Sequence, residues 1–76
     1  MMQRIEFDSL LYKKEAVKQA IADYQELAEI YLQDCGSEYI CEISHTKYSL
    51  EETCLEFGNY VLELTIAMGD KNHGLC

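Results

Sequence analysis

Apolar and polar residues alternate in three short segments of the chain, and this period is typical of a β-strand with one buried face. The first segment covers residues 4–8, the second residues 29–33 and the third residues 38–45. Residues 34–37, with the letters DCGS, are typical of a turn and join the last two segments as a hairpin. The alternation predicts one inward-facing set of side chains: Ile5, Phe7, Ile30, Leu32, Tyr39, Cys41 and Ile43.

Two further segments repeat apolar residues at helical spacing. Residues 14–28 carry one apolar stripe on an otherwise polar helix. The second stripe advances by alternating steps of four and three through Leu50, Cys54, Phe57, Val61, Leu64 and Met68. Ser49 and Glu52 match a capping box at its start, and Gly69 predicts its end. We therefore expect one domain over residues 1–69, followed by a disordered tail over residues 70–76.

The predicted element order is β-α-β-β-α. A right-handed crossover between the first two strands leaves space for the third strand to insert between them. The sequence therefore predicts an α+β fold, a two-layer sandwich with an antiparallel three-stranded sheet of order 1-3-2. Both helices are expected on one face of the sheet, in a ferredoxin-like arrangement that lacks the last strand.

The opposite face of this sheet has no predicted element to cover it. By strand parity it carries Glu6, Asp8, Tyr31, Gln33, Glu38, Ile40 and Glu42. The first and second strands are open edges, and such edges accept a strand from another chain. Leu55, Leu62 and Ile66 lie beside the main stripe of the last helix and widen its apolar sector. These features predict the following partner-binding residues: Glu6, Asp8, Tyr31, Ile40, Glu42, Leu55, Leu62 and Ile66.

The charge balance narrows the class of partner. The 76 residues include 14 Asp and Glu against 6 Lys and Arg, a formal net charge of −8. Nucleic-acid binding depends on neutralising phosphates with cations, so this balance disfavours it. An anionic membrane surface is disfavoured for the same reason. A basic or neutral protein or peptide remains compatible with the charge.

The sequence also predicts a cellular compartment. The first residues contain neither the apolar segment nor the cleavage site of a secretory signal. No apolar run approaches the roughly 20 residues that a membrane-spanning helix needs. Four cysteines without a secretory context are expected to be reduced thiols. We therefore expect a cytoplasmic protein.

Candidate chemistry is sparse. The sequence contains no Gly-rich phosphate loop, nucleophile elbow, H-E-x-x-H or C-x-x-C motif. His45 ends a strand without an obvious orienting carboxylate, and Cys35 in the hairpin turn has acidic neighbours. Cys41 and Cys54 are isolated and are expected to be buried apolar thiols. We predict no catalytic, cofactor or metal site; a small metal-binding domain that uses Cys41, Cys54 and His45 is the alternative.

Two residues of low helix propensity, Gly58 and Asn59, lie within the last predicted helix. Local packing is the favoured explanation. The alternative is that the glycine allows close approach of the sheet and that the asparagine ties the helix to a loop backbone.

Several short motifs resemble one known family. Residues 5–7 (IEF) and 11–17 (LYKKEAV), followed by Ala20 and Tyr24, resemble the opening of the small D component (HxsD-like) of His-Xaa-Ser radical S-adenosylmethionine (radical-SAM) peptide maturation systems. Residues 57–62 (FGNYVL) resemble the family's closing F-x-N-x-L-L helix. The chain departs from the family at Lys13, where a capping serine is more typical, and in lacking a basic C-terminal end.

The resemblance implies an accessory protein that is encoded with radical-SAM enzymes and a repeat-containing peptide substrate. It implies no catalytic residues. The chain has no three-cysteine cluster motif and no His-Xaa-Ser repeat, so it would be neither the enzyme nor the substrate. The predicted function is a non-catalytic accessory or scaffold protein that binds a protein or peptide. A homodimeric structural protein is the alternative.

Overall fold

The computed structural model describes the backbone of residues 1–73 and the side chains of residues 1–69. The sheet is antiparallel, with β3 between the two outer strands. The α+β fold, the element order and the strand order predicted from the sequence are confirmed. In chain order the elements are β1 (Met2–Asp8), α1 (Lys14–Asp23), β2 (Glu29–Asp34), β3 (Glu38–Ser44) and α2 (Leu50–His73).

One hydrophobic core lies between the sheet and the two helices. The side chains of Val17 from α1, Phe57 from α2 and Ile43 from β3 are fully buried together. The Phe57 ring makes edge contacts with Phe7 and Tyr24, at centroid distances of 6.1 Å and 5.4 Å. Since both helices bury their apolar side chains in this one core, they lie on the same face of the sheet. All the strand residues predicted to face inward either belong to the core or pack against it.

The first helix is shorter than the sequence pattern predicts, because it ends at Asp23 rather than at residue 28. The chain then turns, and the Leu27 and Ala28 N–H groups donate to the Tyr24 carbonyl at 2.8 Å and 3.1 Å. This turn directs the chain into β2. Tyr24 and Ala28 still pack on the core, so their apolar character reflects burial of the turn rather than helical continuation.

The last helix is longer than predicted. It begins as expected at the Ser49 cap, where the Glu52 N–H donates to Ser49 Oγ at 3.4 Å. It continues through Gly69 to His73, so the predicted end at Gly69 is wrong. A glycine ends a helix when it adopts a left-handed conformation, and Gly69 does not adopt one. Residues 74–76, on which the predicted tail also falls, lie outside the described residues.

The hairpin turn fixes the register of β2 against β3. Gly36 adopts a φ of 85°, which favours glycine, and its N–H donates to Asp34 Oδ1 at 2.9 Å. The Cys35 N–H donates to the Glu38 carbonyl at 2.9 Å. With this register set, strand parity decides which side chains face away from the helices.

Candidate partner-binding surfaces

The sheet face opposite the helices, here called the open face, is covered by no element among the described residues. Its rows follow from the register of the sheet. One row places Arg4, Glu42 and Tyr31 side by side, and Arg4 Nη2 lies 3.6 Å from Glu42 Oε2. Tyr31 retains 65% of its accessible surface, so its ring is available to a second molecule.

Ile40 does not have the exposure expected of a contact residue on the open face. It lies in the central strand, directly between Glu6 and Gln33 of the neighbouring strands. Neighbours on both sides leave only 8% of its surface accessible. Strand parity predicted the face of Ile40 correctly. Its position in the central strand, however, lets the longer side chains of Glu6 and Gln33 cover it. Direct contact with Ile40 would require those side chains to move.

One end of the open face is acidic. Asp8 and Glu38 are direct cross-strand partners, and Glu6 lies on the same face two residues before Asp8. Like charges placed opposite each other in a sheet are mutually unfavourable. A cation placed at this end would relieve the repulsion.

A groove runs between β1 and α2 and is here called the β1–α2 groove. Its volume is about 600 Å³, and its lining includes Ile5 and Glu6 of β1, Tyr12, and Cys54, Leu55 and Leu62 of α2. Leu55 and Leu62 expose 64% and 43% of their surfaces, and Ile66 beyond them exposes 54%. The apolar sector predicted beside the main helix stripe is therefore solvent-accessible on this side of the molecule.

Gly58 and Asn59 also line the β1–α2 groove. A Cβ atom added to Gly58 would meet no atom within 4 Å, so the alternative explanation, a close approach of the sheet, does not hold. The glycine faces the groove rather than the sheet. Gly58, Asn59 and Tyr12 were not predicted as surface residues of interest, although the glycine in mid-helix was a visible signal.

The outer edge of β1 carries free backbone groups. The Ser9 N–H donates to the Ser37 carbonyl at 3.0 Å, one step beyond the Asp8–Glu38 pair. Hydrogen-bonded pairs alternate along an antiparallel ladder, so the odd residues of β1 direct their N–H and C=O groups toward β3. The even residues, including Arg4 and Glu6, direct theirs away from the sheet.

The residues of the metal-binding alternative are not brought together. Cys41 and Cys54 are buried in the core, whereas the His45 side chain is 78% exposed at the end of β3. Among the described residues, no group of three or more His, Cys, Asp or Glu side chains is arranged to hold a metal ion. Burial raises the pKa of Cys41 to about 12 and also raises the pKa of Cys54, so both remain thiols at neutral pH.

His45 has an acidic neighbour that the sequence did not predict. Its Nδ1 lies 2.7 Å from Glu29 Oε2 and 3.2 Å from Ser44 Oγ. Glu29 comes close because it is the cross-strand partner of Ser44. Both contacts use the same ring nitrogen and lie on an exposed strand end, with no enclosing cleft. The contact joins the end of β3 to the start of β2.

The second edge strand has its own ion pair. Lys14 Nζ lies 2.8 Å from Asp34 Oδ2 and joins the start of α1 to the end of β2. The hydrogen bond from Lys14, together with one from the Gly36 N–H, lowers the pKa of Asp34. The same bond with Asp34 raises the pKa of Lys14. Both groups are thus already partnered within the chain.

In the part of the chain that the structure describes, no helix combines the length and apolarity needed to cross a membrane. Comparison with known proteins returned no significant match to any family model, curated protein or solved structure.

Proposed function

We propose that this chain is a non-catalytic accessory or scaffold protein that binds a protein or peptide partner through its open face. The observation that carries the proposal is an uncovered sheet surface on which an exposed tyrosine, Tyr31, lies beside Glu42, with an acidic end formed by Glu6, Asp8 and Glu38 on the same face. An aromatic ring supplies contact area at low conformational cost, and the carboxylates select the partner by charge.

The partner is a basic or neutral segment. Glu6, Asp8 and Glu38 form an acidic end on the open face, and the whole chain carries a formal charge of −8. A cationic partner would be steered to this face and would relieve the repulsion among its carboxylates. Nucleic acid and anionic membranes are disfavoured by the same charge.

The biological system in which the chain would act is proposed from its resemblance to the HxsD-like family. The resemblance would place the chain in the cytoplasm as an accessory of a radical-SAM peptide-modification system. The partner would then be the radical-SAM enzyme or its repeat-containing peptide. The resemblance alone supports this setting, whereas the surface supports the binding role.

Calorimetric titration tests both parts of the proposal. The probes are a synthetic His-Xaa-Ser repeat peptide and the purified radical-SAM enzyme of such a system. Tyr31→Ala is expected to weaken binding about tenfold or more, because exposed aromatic contacts often dominate binding energy. Tyr48→Ala is the matched control, since Tyr48 is equally exposed, at 64%, but lies in the segment between β3 and α2 rather than on a strand.

Binding to neither probe would remove the radical-SAM setting. Binding that survives Tyr31→Ala unchanged, or that falls equally with Tyr48→Ala, would contradict the open face as the contact surface.

A further inference from the structure

We propose that the outer edge of β1 pairs with β1 of a second copy of this chain, forming a two-fold symmetric dimer with one continuous sheet and with the two β1–α2 grooves facing each other. The proposed dimer uses the outer edge of β1 and shares only Glu6 with the proposed partner site. It would join two open faces into one larger acidic surface.

The backbone of β1 is free to form this ladder. Met2, Arg4 and Glu6 direct their N–H and C=O groups outward, as the Ser9–Ser37 hydrogen bond indicates. Asp8 directs its N–H outward too, but its carbonyl already accepts from the Leu11 and Tyr12 N–H groups at 3.0 Å and 2.9 Å. A two-fold axis perpendicular to the sheet through Ile5 pairs the strand with itself in antiparallel register. Arg4 of one copy then exchanges backbone hydrogen bonds with Glu6 of the other. Ile5 meets its own copy at a non-hydrogen-bonded position.

The side chains of β1 are self-complementary in this register. On the open face, Arg4 lies opposite Glu6 of the second copy, and the two-fold repeats this opposite-charge pair. On the helix face, Ile5 lies opposite Ile5, and Gln3 lies opposite Phe7. Shifting the register by two residues places Arg4 opposite Arg4, or places Glu6 opposite Glu6 while Arg4 meets Asp8; either shift therefore adds a like-charge pair on the axis, which the Ile5-centred register lacks. Charge therefore selects the register that also uses the full length of the strand.

The β1–α2 groove supplies the apolar part of the interface. Leu55, Gly58 and Leu62 line the groove from the α2 side, and the two-fold brings the two groove walls together. Gly58 costs helix propensity, yet a Cβ there would touch nothing within the chain. A glycine on the helix surface allows a second helix to approach closely. In the proposed dimer, α2 of the second copy would pack against Gly58.

The other free edge does not offer the same complementarity. β2 has the sequence EIYLQD and contains no cation, so no register of β2 with itself can place opposite charges opposite each other. Pairing over its full length would place Glu29 opposite Asp34. The charge order therefore assigns the dimer to β1.

Cysteine cross-linking with a matched control tests the register. In a Cys35→Ser, Cys76→Ser background, Ile5→Cys places two thiols on the two-fold axis. Their Cα atoms would be about 4.5 Å apart, within the usual disulfide range. Gln3→Cys is the control, because its copies would lie roughly 13 Å apart along the strands. If disulfides formed by random collision of monomers, the Gln3→Cys variant would cross-link faster, since Gln3 is exposed and Ile5 is half-buried.

The expected result is rapid disulfide-linked dimer with Ile5→Cys and little with Gln3→Cys, together with dimer mass for the unmodified chain in sedimentation velocity at about 100 μM. A monomer at that concentration would overturn the proposal, and it would do so even if the Ile5→Cys variant failed to fold. Equal cross-linking of the two variants would overturn the register.

Discussion

The two edge strands of the sheet present the same kind of backbone but different charge order. β1 carries Arg4 and Glu6 two residues apart on one face, with free backbone groups and an apolar groove beside them. β2 carries Glu29 and Asp34 at its two ends, and each is already bonded within the chain, to His45 and to Lys14.

The proposed assignment of the dimer to β1 rests on charge order and not on strand exposure alone. The end carboxylates of β2 contact His45 and Lys14 within the chain. The charges of β1 alternate in a way that matches a reversed copy of the same strand. Charge order and neighbouring apolar surface therefore distinguish the two edges, whereas strand exposure does not.

The largest expected effect removes the core side chain that joins α2 to β1 and to the end of α1. Phe57 joins α2 to Phe7 of β1 and to Tyr24 after α1, and it is fully buried. Phe57→Ala should lower the free energy of unfolding by about 3–5 kcal/mol, because it leaves a large cavity. Leu62→Ala on the exposed side of the same helix should change the free energy of unfolding of the monomer by only about 0.5 kcal/mol. Urea denaturation of both variants measures the difference, and similar losses would contradict the assignment of the two helix faces.

The next effect tests the direction of the backbone groups along β1. Ile5→Pro removes an N–H that points to β3 and should cost roughly 3 kcal/mol or more. Glu6→Pro removes an N–H that points away from the sheet and should cost the monomer much less. Ile5→Ala measures the side-chain part of the first change. Equal destabilisation by the two prolines would show that the alternation along β1 is assigned wrongly.

The pH dependence of stability above pH 9 tests the burial of Cys41. This residue lies at the centre of the sheet, where it is the cross-strand partner of both Ile5 and Leu32. Its pKa in the fold is about 12, against an ordinary value of 9.0. The thiol is protonated in both states below pH 9, so its contribution to stability is complete there and is lost as the pH rises from 9 toward 12. Cys41→Ala should flatten this part of the curve of unfolding free energy against pH. An unchanged slope would contradict a buried thiol at this position.

The smallest expected effect concerns the ion pair between Lys14 and Asp34 at the end of β2. The pKa of Asp34 is lowered from 3.8, mainly by the hydrogen bond from Lys14. Its contribution is therefore present above pH 3.8 and is lost as the pH falls further. Asp34→Asn should weaken the acid dependence of thermal unfolding, with little change near neutral pH because the pair is exposed. A large loss at neutral pH would mean that the pair matters more than its exposure implies.

Local patterns predicted the elements and their order, because strand alternation and the capping box at Ser49 depend on neighbouring residues. The end of α1 was not predictable in this way. Tyr24 and Ala28 continue a helical spacing, but they are apolar because a turn packs them on the core. Gly69 was misleading because a glycine permits a helix end without requiring one.

The candidate surfaces were predicted only in part. Parity placed Tyr31 and Glu42 on the open face, but the cover over Ile40 depends on side chains from two other strands. The approach of Glu29 to His45 and the open space at Gly58 likewise depend on pairing between distant segments. Such features follow from register and packing, which a single sequence pattern does not specify.

The most direct test of the β1 edge as the association surface is a charge exchange followed by sedimentation equilibrium. Arg4→Glu and Glu6→Arg should each weaken the dimer by roughly tenfold or more, because each places like charges opposite each other twice per dimer. The double variant restores opposite charges in the same register, so its dimer should approach the strength of the original. Circular dichroism controls for the intrachain contact of Arg4 with Glu42. A double variant that dimerises no better than the single variants, with the fold intact, would contradict the account.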